Sequence, residues 1–470
     1  MRQLQSIDST WQNAPIGIVH LGLGAFHRAH QAVYLERNLA RHGGGPWGVC
    51  SANLRSGRSL VDVLAAQGHR YHVAEYSNRE HVALREIRAV REVLFAGDQG
   101  RDHERLLARL ADAAVRIVTL TVTEKGYCLN PASGELRLED PLILADLATP
   151  RQPRSVPGIL LEGLRRRKEA GSEPFAVLSC DNLPDNGRRT RQAVLGLAQA
   201  LDPALAKWIG EAVAFPGSMV DRIVPAMDDA SRQMLREAGC DDPAAVVCEA
   251  FSQWVIEDHF PAGRPDWERE GVQMVEDVRP FEDMKLRLLN GSHSLLAYVG
   301  LLAGFDTVFQ AMKDPWMAQL ISRYMHDEAA LTLDLPEGVD VANYASALVA
   351  RFGNDALEHR LRQIAMDGSQ KLPQRWLIGA QHLLSRGKRI ECTALGVAAW
   401  IRFTELEGLS LDDPLRERLA GLPTGPARVD AALRITEVFA PSVVQAPGFS
   451  AAVASAYQVL TTQGVRAVVA

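Results

Sequence analysis

Residues 16–30 read IGIVHLGLGAFHRAH, and this stretch decides the fold of the N-terminal half. The apolar run Ile16–Leu21 predicts a buried strand, and helical spacing begins directly after Gly24. Gly22-x-Gly24 therefore stands between a strand and a helix, as a dinucleotide fold requires. There the first glycine permits a tight turn, and the second lets the main chain approach a pyrophosphate. His27 occupies the place of the third glycine, so the motif by itself leaves an ordinary structural turn open.

Alternating strand and helix patterns extend outward from the glycine turn. The first helical pattern runs to about Arg41, and further buried strands are expected at 47–52, 116–123 and 175–180. Short apolar strands separated by helices predict a parallel sheet with helices on both faces. From Met284 onward helical spacing dominates, over 285–304, 308–330, 342–352, 355–366, 373–386, 391–407 and 427–439. The sequence thus predicts a Rossmann-type α/β domain over residues 1–283 and a mostly α-helical substrate and catalytic domain over 284–470.

The composition is that of a folded, mildly acidic protein. The 470 residues are 47% hydrophobic, and a net charge of −6 leaves no basic excess to neutralise nucleic-acid phosphates. The N-terminus has no apolar signal region, and no apolar stretch approaches the roughly 20 residues that span a bilayer. Six cysteines without a CxxC pair are typical of reduced thiols. We therefore expect a cytoplasmic enzyme of small molecules, without nucleic-acid or membrane partners, whose oligomeric state the sequence leaves open.

Several charged side chains have ordinary structural interpretations. Asp140, Asp146 and the basic run 165–168 are expected on solvated helix surface. His27 and His30 are three residues apart on the first helix, but no third ligand is evident beside them. We therefore expect no metal site.

The loop after the second predicted strand bears on the cofactor. Residues 50–58 read CSANLRSGR and lack the carboxylate that contacts the ribose in many NAD-binding folds. Asn53 and Arg58 are the candidate cofactor contacts here, and arginines suit a 2′-phosphate. The alternative is solvated loop charge. NAD is expected, with NADP left open.

Residues 284–293 read MKLRLLNGSH and carry the most informative chemistry. On an α-helix, Lys285, Asn290 and His293 fall within an arc of about 140°. A lysine whose pKa is lowered by burial can move the proton of an alcohol, and an Asn amide can stabilise a developing oxyanion. The alternative is a surface lysine and a hydrogen-bonded histidine on an ordinary helix.

Many sequence blocks, in the same order, resemble the polyol-specific long-chain (mannitol) dehydrogenase family. The blocks are Gly22-x-Gly24-Ala25-Phe26-His27-Arg28-Ala29-His30, TVTEKGYC (121–128), SCDN (179–182), MVDR (219–222), CEAFSQWVIE (248–257), GRPDWE (263–268), Lys285-x4-Asn290-x2-His293 and DGSQK (367–371). The resemblance covers about residues 15–376, and family-like helices follow. It implies zinc-independent hydride transfer between a nicotinamide cofactor and a secondary alcohol of a sugar derivative.

The resemblance also implies roles for individual residues. Lys285 corresponds to the general acid/base, Asn182 and Asn290 to the residues that hold the reacting oxygen, and His293 to one that orients a substrate hydroxyl. The remaining family positions are Glu124 near the lysine, Asp221 and Lys371 at the substrate, and Gly22, Gly24, Ala25 and Phe26 at the cofactor.

Two branches of the family compete for the substrate. Residues 364–375 and 285–298 closely resemble fructuronate reductases (D-mannonate oxidoreductases), and Lys371 or Arg375 can pair with a substrate carboxylate. Gln363 stands where mannitol 2-dehydrogenases carry an arginine, whereas residues 182–187 look more like the polyol dehydrogenases. Fructuronate reduction with NADH is favoured. Mannitol, arabinitol or sorbitol dehydrogenation and a non-catalytic nucleotide- or sugar-binding relative are the alternatives.

Overall fold

A computed structural model describes residues 3–7, 10–97, 100–130, 133–237, 239–356 and 359–468. The chain divides into two compact units, Met1–Arg279 and Pro280–Ala470. The boundary expected after residue 283 falls inside the helix Arg279–Met284, which begins at the observed division.

The strands of the described residues all belong to the first unit. They are β1 (Gln3–Ile7), β2 (Ile16–Leu21), β3 (Gly48–Asn53), β4 (Tyr71–Tyr76), β5 (His81–Ile87), β6 (Val90–Phe95), β7 (Ile117–Leu120), β8 (Ala176–Ser179), β9 (Ser218–Asp221), β10 (Val246–Glu249), β11 (Gln253–Glu257) and β12 (Gln273–Val275). Five of them form a wholly parallel sheet in the order β6-β3-β2-β7-β8. Two smaller mixed sheets have the orders β1-β5-β4-β10 and β12-β11-β9. The predicted parallel sheet is confirmed.

Most helices of the first unit follow strands of the parallel sheet along the chain. The helices are α1 (Ala25–Ala29), α2 (Gln31–His42), α3 (Arg58–Ala66), α4 (Arg101–Ala111), α5 (Pro141–Ala148), α6 (Val156–Ala170), α7 (Asn186–Leu201), α8 (Pro203–Ala212) and α9 (Asp229–Glu237). The next helix, α10 (Arg279–Met284), begins at the division, and all but its first residue belong to the second unit. The single helix expected up to Arg41 is two helices, because the main chain at His30 leaves the helical region with φ −124° and ψ −85°.

Both faces of the parallel sheet are covered by separate apolar clusters. Val19 and Leu21 of β2 point into a core shared with α4, α6, α7 and α8. Ile18, which precedes Val19 in β2, points to the opposite face of the sheet. There it joins a second core that contains Trp254 and Trp267. Because successive strand residues point to opposite faces, the continuous apolar run of β2 is explained by burial on both sides.

Two residues expected on solvated helix surface are buried instead, so that expectation was wrong. Asp146 is 1% exposed and accepts hydrogen bonds from the main-chain N–H groups of Arg154 (2.6 Å) and Ser155 (3.1 Å). Arg167 is also 1% exposed and donates to the carbonyl oxygens of Leu110 (2.7 Å) and others nearby. Each charge is buried because main-chain groups satisfy it, which local sequence does not reveal.

The second unit contains helices and no strand among its described residues. Three segments, π1 (Lys285–Asn290), π2 (Tyr324–Ala329) and π3 (Pro373–Leu377), are π-helical. The α-helices are α11 (Gly291–Leu302), α12 (Val308–Met312), α13 (Pro315–Arg323), α14 (Val341–Phe352), α15 (Leu361–Ala365), α16 (Gly368–Leu372), α17 (Ile378–Ser385), α18 (Glu391–Glu407), α19 (Arg416–Ala420), α20 (Ala427–Leu433), α21 (Pro441–Val444) and α22 (Phe449–Gln463). The helical domain is confirmed, although the helix expected over 355–366 is reduced to α15, and residues 357 and 358 lie outside the described part of the chain.

The cysteines and the lengths of the apolar helices bear on two expectations from the sequence. All six cysteines are buried and unbridged. Within the ranges that the structure describes, no helix combines the length and apolar character that a bilayer crossing demands.

Candidate active site

The glycine turn after β2 is held by contacts with other residues of the first unit. Gly22 has φ +110°, and a Cβ atom there would lie 2.0 Å from the carbonyl oxygen of Thr121, so only glycine fits. The N–H of Leu23 donates to Oδ1 of Asn53 at 2.9 Å, which ties the turn to the end of β3. A Cβ atom at Gly24 would have its nearest neighbour 3.9 Å away. The fold itself therefore demands the first glycine, whereas the second leaves the main chain open to a ligand.

Two stacked imidazoles lie beneath this turn. The rings of His20 and His27 are 3.5 Å apart and almost parallel. Nδ1 of His20 lies 2.7 Å from Oγ1 of Thr119, and its Nε2 lies 2.9 Å from the carbonyl oxygen of Gly22. Burial lowers the pKa of His20 to about 3 and holds the pKa of His27 well below its usual range, so both rings are neutral. His27, which stands at the position of the missing third glycine, therefore packs its ring against His20.

The two histidines considered as metal ligands have other contacts. His27 stacks on His20, and Nε2 of His30 lies 2.9 Å from the carbonyl oxygen of Gln253. In the described ranges, no group of three or more His, Cys, Asp or Glu side chains is arranged to hold a metal ion.

The other predicted cofactor residues have different environments. Ala25 and Phe26 are half-buried on α1, where the Phe26 ring stacks on His30 with centroids 5.0 Å apart. Arg58 is exposed at the start of α3, and its guanidinium carbon lies 4.3 Å from the ring centroid of Phe95. Asn53 holds the glycine turn, whereas Arg58 lies on an aromatic face.

Glu124 and Asn182 follow neighbouring strands of the parallel sheet. Glu124 comes four residues after the end of β7, and Asn182 three residues after the end of β8. Glu124 and Asn182 are both exposed. Because β2, β7 and β8 are adjacent and parallel, both residues lie at the same sheet edge as the glycine turn, where ligands of α/β sheets bind.

Asp221 belongs to a different sheet of the same unit. It is the last residue of β9, is 5% exposed and pairs with Gln253 of β11. Side-chain bonds connect its strand to the parallel sheet, because the Ser218 hydroxyl at the start of β9 donates to the carbonyl oxygen of Ser179 at 2.6 Å.

In the second unit, Lys285 and Asn290 are the first and last residues of π1. Residues five apart are separated by about 140° around an α-helix, whereas i→i+5 hydrogen bonding brings them close to the same face. The arc calculated for a regular α-helix was therefore too wide. Both side chains are half-buried.

Side chains from π2 and π3 satisfy the carbonyl groups of π1 and its continuation. The Tyr324 hydroxyl donates to the carbonyl oxygen of Arg287 at 2.8 Å. Arg375 donates to the carbonyl oxygen of Asn290 at 3.2 Å, and Nε1 of Trp376 donates to that of Gly291 at 3.1 Å. The three π-helical segments therefore stabilise one another.

His293 lies one turn after π1 and is buried, with 6% exposure. Its ring packs against Phe352, with centroids 4.7 Å apart, and lies edge-on to His359 at 5.2 Å. Among the described residues, its Nε2 has no hydrogen-bond partner. Burial holds the pKa of His293 well below its usual range, and His359, Arg375, Arg351 and Lys285 contribute in the same direction. The neutral ring presents a nitrogen that a hydroxyl group can satisfy.

Lys371 and Arg375, the two cationic residues predicted to bind the substrate, both form hydrogen bonds within the protein. Nζ of Lys371 donates to the carbonyl oxygens of Ile364 (3.3 Å) and Met366, and burial lowers its pKa. Arg375 also donates to Oγ of Ser294 at 2.8 Å, and burial lowers its pKa to about 10. Arg375 thus supports the segment that carries Asn290.

Local sequence patterns do not indicate the residues that hold these segments in place. Tyr324 and Trp376 are 37 and 85 residues from the carbonyl groups that they contact, so no local pattern indicates them. Tyr127 and Asp181 lie within two of the family-like blocks, and the Tyr127 hydroxyl donates to Oδ2 of Asp181 at 2.6 Å, a contact that the sequence does not reveal.

Known proteins show which family the chain is similar to. The mannitol dehydrogenase Rossmann domain matches residues 16–269, and the mannitol dehydrogenase C-terminal domain matches residues 277–461. Oxidoreductase YeiQ of Escherichia coli (strain K12) is 47% identical over 95% of this chain and 92% of that protein. D-mannonate oxidoreductase of the same organism is 46% identical over 96% of this chain and 95% of that protein.

A solved structure has the same fold over nearly the whole chain. It is Pseudomonas fluorescens mannitol 2-dehydrogenase in ternary complex with NAD and D-mannitol, 37% identical, with a TM-score of 0.83 over 99% of this chain and 96% of that one. The chain therefore belongs to the mannitol dehydrogenase family and is an oxidoreductase that acts on CH–OH groups.

Proposed function

We propose that this protein reduces D-fructuronate to D-mannonate with NADH and without a metal ion. The similarity to D-mannonate oxidoreductase over almost the full length of both chains supports this substrate. Lys285, Asn182, Asn290, His293 and Glu124 are the catalytic residues of the proposal.

The observation that carries the substrate assignment is the positive charge around His293. After burial and His359, the cations Arg375, Arg351 and Lys285 all lower the pKa of the His293 ring. Burial and the charge of Arg375 lower the pKa of Lys371, whereas the carboxylates of Asp367, Asp413 and Asp412 raise it. A ketouronate has a carboxylate that such an environment attracts, and a neutral ketose does not.

The chain's own residues supply the proton and the oxygen contacts. Bound NADH supplies the hydride that is added to the carbonyl carbon. Lys285, as an ammonium group, gives a proton to the carbonyl oxygen, which becomes the hydroxyl of the product. The amides of Asn182 and Asn290 donate hydrogen bonds to that oxygen while its negative charge develops. Glu124 assists the return of a proton to Lys285.

The substrate is oriented by groups with different chemistry. The neutral His293 ring has a buried Nε2 that no described residue contacts, and it matches a substrate hydroxyl. Asp221 binds further hydroxyl groups, and Lys371 and Arg375 bind the carboxylate in the proposal.

The cofactor of the proposal is NAD, with NADP as the alternative. The glycine turn fits a dinucleotide, because Gly24 leaves its main chain uncovered while Gly22 makes the close turn. Gly22, Gly24, Ala25, Phe26 and Asn53 line this site in the proposal. Arg58 is assigned to the same site, near the adenosine ribose.

Mannitol 2-dehydrogenation is the second candidate function. The fold similarity to the Pseudomonas fluorescens enzyme, whose complex holds D-mannitol, favours it. A neutral polyol would use His293 and Asp221 and leave the surrounding cations without a substrate partner.

The test follows nicotinamide absorbance with D-fructuronate or D-fructose, each with NADH or NADPH. Charge-assisted hydrogen bonds contribute about 1.5–3 kcal/mol, so kcat/KM for fructuronate should exceed that for fructose by about 10- to 100-fold. Lys371→Gln should reduce this preference, whereas Lys388→Gln, at an exposed lysine of the same unit, should not. A preference for fructose would support the polyol function instead, and cofactor binding without turnover would leave a non-catalytic relative.

A further inference from the structure

The carboxylate of Asp181, directly before Asn182, lies at the centre of a hydrogen-bond network in the first unit. Its Oδ2 accepts from the N–H of Val122 at 3.0 Å, and its Oδ1 from the N–H of Thr123 at 2.8 Å. The Tyr127 hydroxyl donates to Oδ2 at 2.6 Å. An ionised carboxylate accepts only, so three donors around one carboxylate match its chemistry.

The loop that Asp181 holds has an unfavourable main-chain conformation. Thr123 has φ +64° and ψ +164°, in a region that residues with a side chain rarely adopt. Such a conformation costs about 1–3 kcal/mol and persists where the surroundings fix it. The N–H bonds of Val122 and Thr123 to Asp181 are those surroundings, and Glu124 is the next residue. The main-chain path from the end of β7 to Glu124 therefore depends on the bonds to Asp181.

The main chain of Asp181 fixes the other side of the network. Its carbonyl oxygen accepts from the N–H of Leu183 at 2.8 Å, so Asn182 is the central residue of a three-residue turn. Nδ2 of Asn186 donates to the same carbonyl oxygen at 3.1 Å and to that of Ser218 at 2.7 Å. Ser218 begins β9, which ends at Asp221, so one network connects the segments of three proposed site residues.

We propose that Asp181 is a positioning residue of the reductase, which sets Glu124 through its carboxylate and Asn182 through its main chain, with Tyr127 completing the carboxylate's contacts. This inference rests on the proposed function. Asp181 is not a catalytic residue, because it acts through its neighbours and not on the substrate.

Asp181→Asn tests the carboxylate without changing side-chain size. The amide has one acceptor oxygen, and its NH₂ group would face an N–H donor of the loop. Displacement of a catalytic group by about 1 Å can cost about 100-fold in rate, so kcat should fall by about 10- to 100-fold. The Kd of NADH, measured by fluorescence, should change less than about twofold, because the N–H of Leu23 in the glycine turn is held by Asn53 and not by Asp181.

Asp146→Asn is the matched control. Asp146 is a buried carboxylate of the same unit that also accepts two main-chain N–H bonds and one hydroxyl bond, but its loop carries no proposed site residue. Both variants should lower the free energy of unfolding in urea, whereas only Asp181→Asn should lower kcat. Tyr127→Phe keeps both main-chain bonds and should lower kcat by about three- to tenfold; it serves as the test if Asp181→Asn does not fold.

Unchanged kcat in Asp181→Asn, or equal losses of kcat in Asp181→Asn and Asp146→Asn, would overturn the positioning role. Unchanged kcat in Tyr127→Phe would overturn it if Asp181→Asn does not fold. In each case an active wild-type enzyme leaves the proposed function standing. A wild-type protein without turnover on any ketose or keto acid would remove both proposals.

Discussion

Replacing Tyr324 by phenylalanine is expected to loosen π1 and to slow catalysis. The Tyr324 hydroxyl gives the carbonyl oxygen of Arg287 a donor at 2.8 Å, and Gly291 leaves room for it, since a Cβ there would lie 2.1 Å from that hydroxyl. Loss of this donor removes one hydrogen bond from the main chain of a half-buried residue, which costs about 0.5–1.5 kcal/mol. For a unit of this size, each 1 kcal/mol lowers Tm by about 2–4 °C.

The effect on rate follows from the helix geometry. If π1 relaxes to regular α-helix, Lys285 and Asn290 return to a separation of about 140° around the axis. Because the proposed reaction needs both side chains at one oxygen, kcat for the keto sugar acid should fall by about 10- to 100-fold. KM for NADH should stay within about twofold.

Tyr298→Phe is the matched control for this experiment. Tyr298 is also buried in the second unit and donates to a main-chain carbonyl oxygen, that of Ala365, at 3.1 Å. Both variants should lose similar unfolding free energy in urea, whereas only Tyr324→Phe should lose most of its kcat. Equal kcat values for the two variants would refute the argument that π1 geometry sets the catalytic arrangement.

Three further outcomes are expected. Lys285→Ala should lower kcat by orders of magnitude with little change in the Kd of NADH, because its loss is confined to the chemical step; retained turnover would remove the lysine from catalysis. Arg58→Glu should raise the NADH-to-NADPH preference in kcat/KM, and an unchanged ratio would exclude Arg58 as a cofactor determinant. His20 has a folded-state pKa of about 3, so below pH 6.5 only the unfolded chain binds its proton, and the free energy of unfolding should fall by up to about 2 kcal/mol from pH 6.5 to 5. His20→Gln should flatten that dependence in urea titrations.

Local sequence predicts the elements whose cause is local. Apolar β2 and the glycine turn are encoded within nine residues, and the structure places β2 at Ile16–Leu21 as expected. Gly22 is required by its positive φ and by its approach to Thr121, both consequences of the turn that its position indicates.

Sequence patterns fail where distant residues decide the outcome. Arg167 lies in a basic run of the kind expected on a solvated surface. It is buried instead, and it donates to carbonyl oxygens more than 50 residues away along the chain. The spacing of π1 is compatible with an α-helix, and donors far along the chain, such as Tyr324, accompany its π-helical form. The roles proposed for Lys285 and Asn182 rest on family resemblance, because the spacing around Lys285 by itself favours an ordinary helix.

The most direct test of the central claim is the identity of the product formed from D-fructuronate and NADH by the purified protein. We expect one D-mannonate for each NADH oxidised, with a higher kcat/KM than for D-fructose under the same conditions. Conversion of fructose to a polyol with fructuronate left unreacted would contradict it.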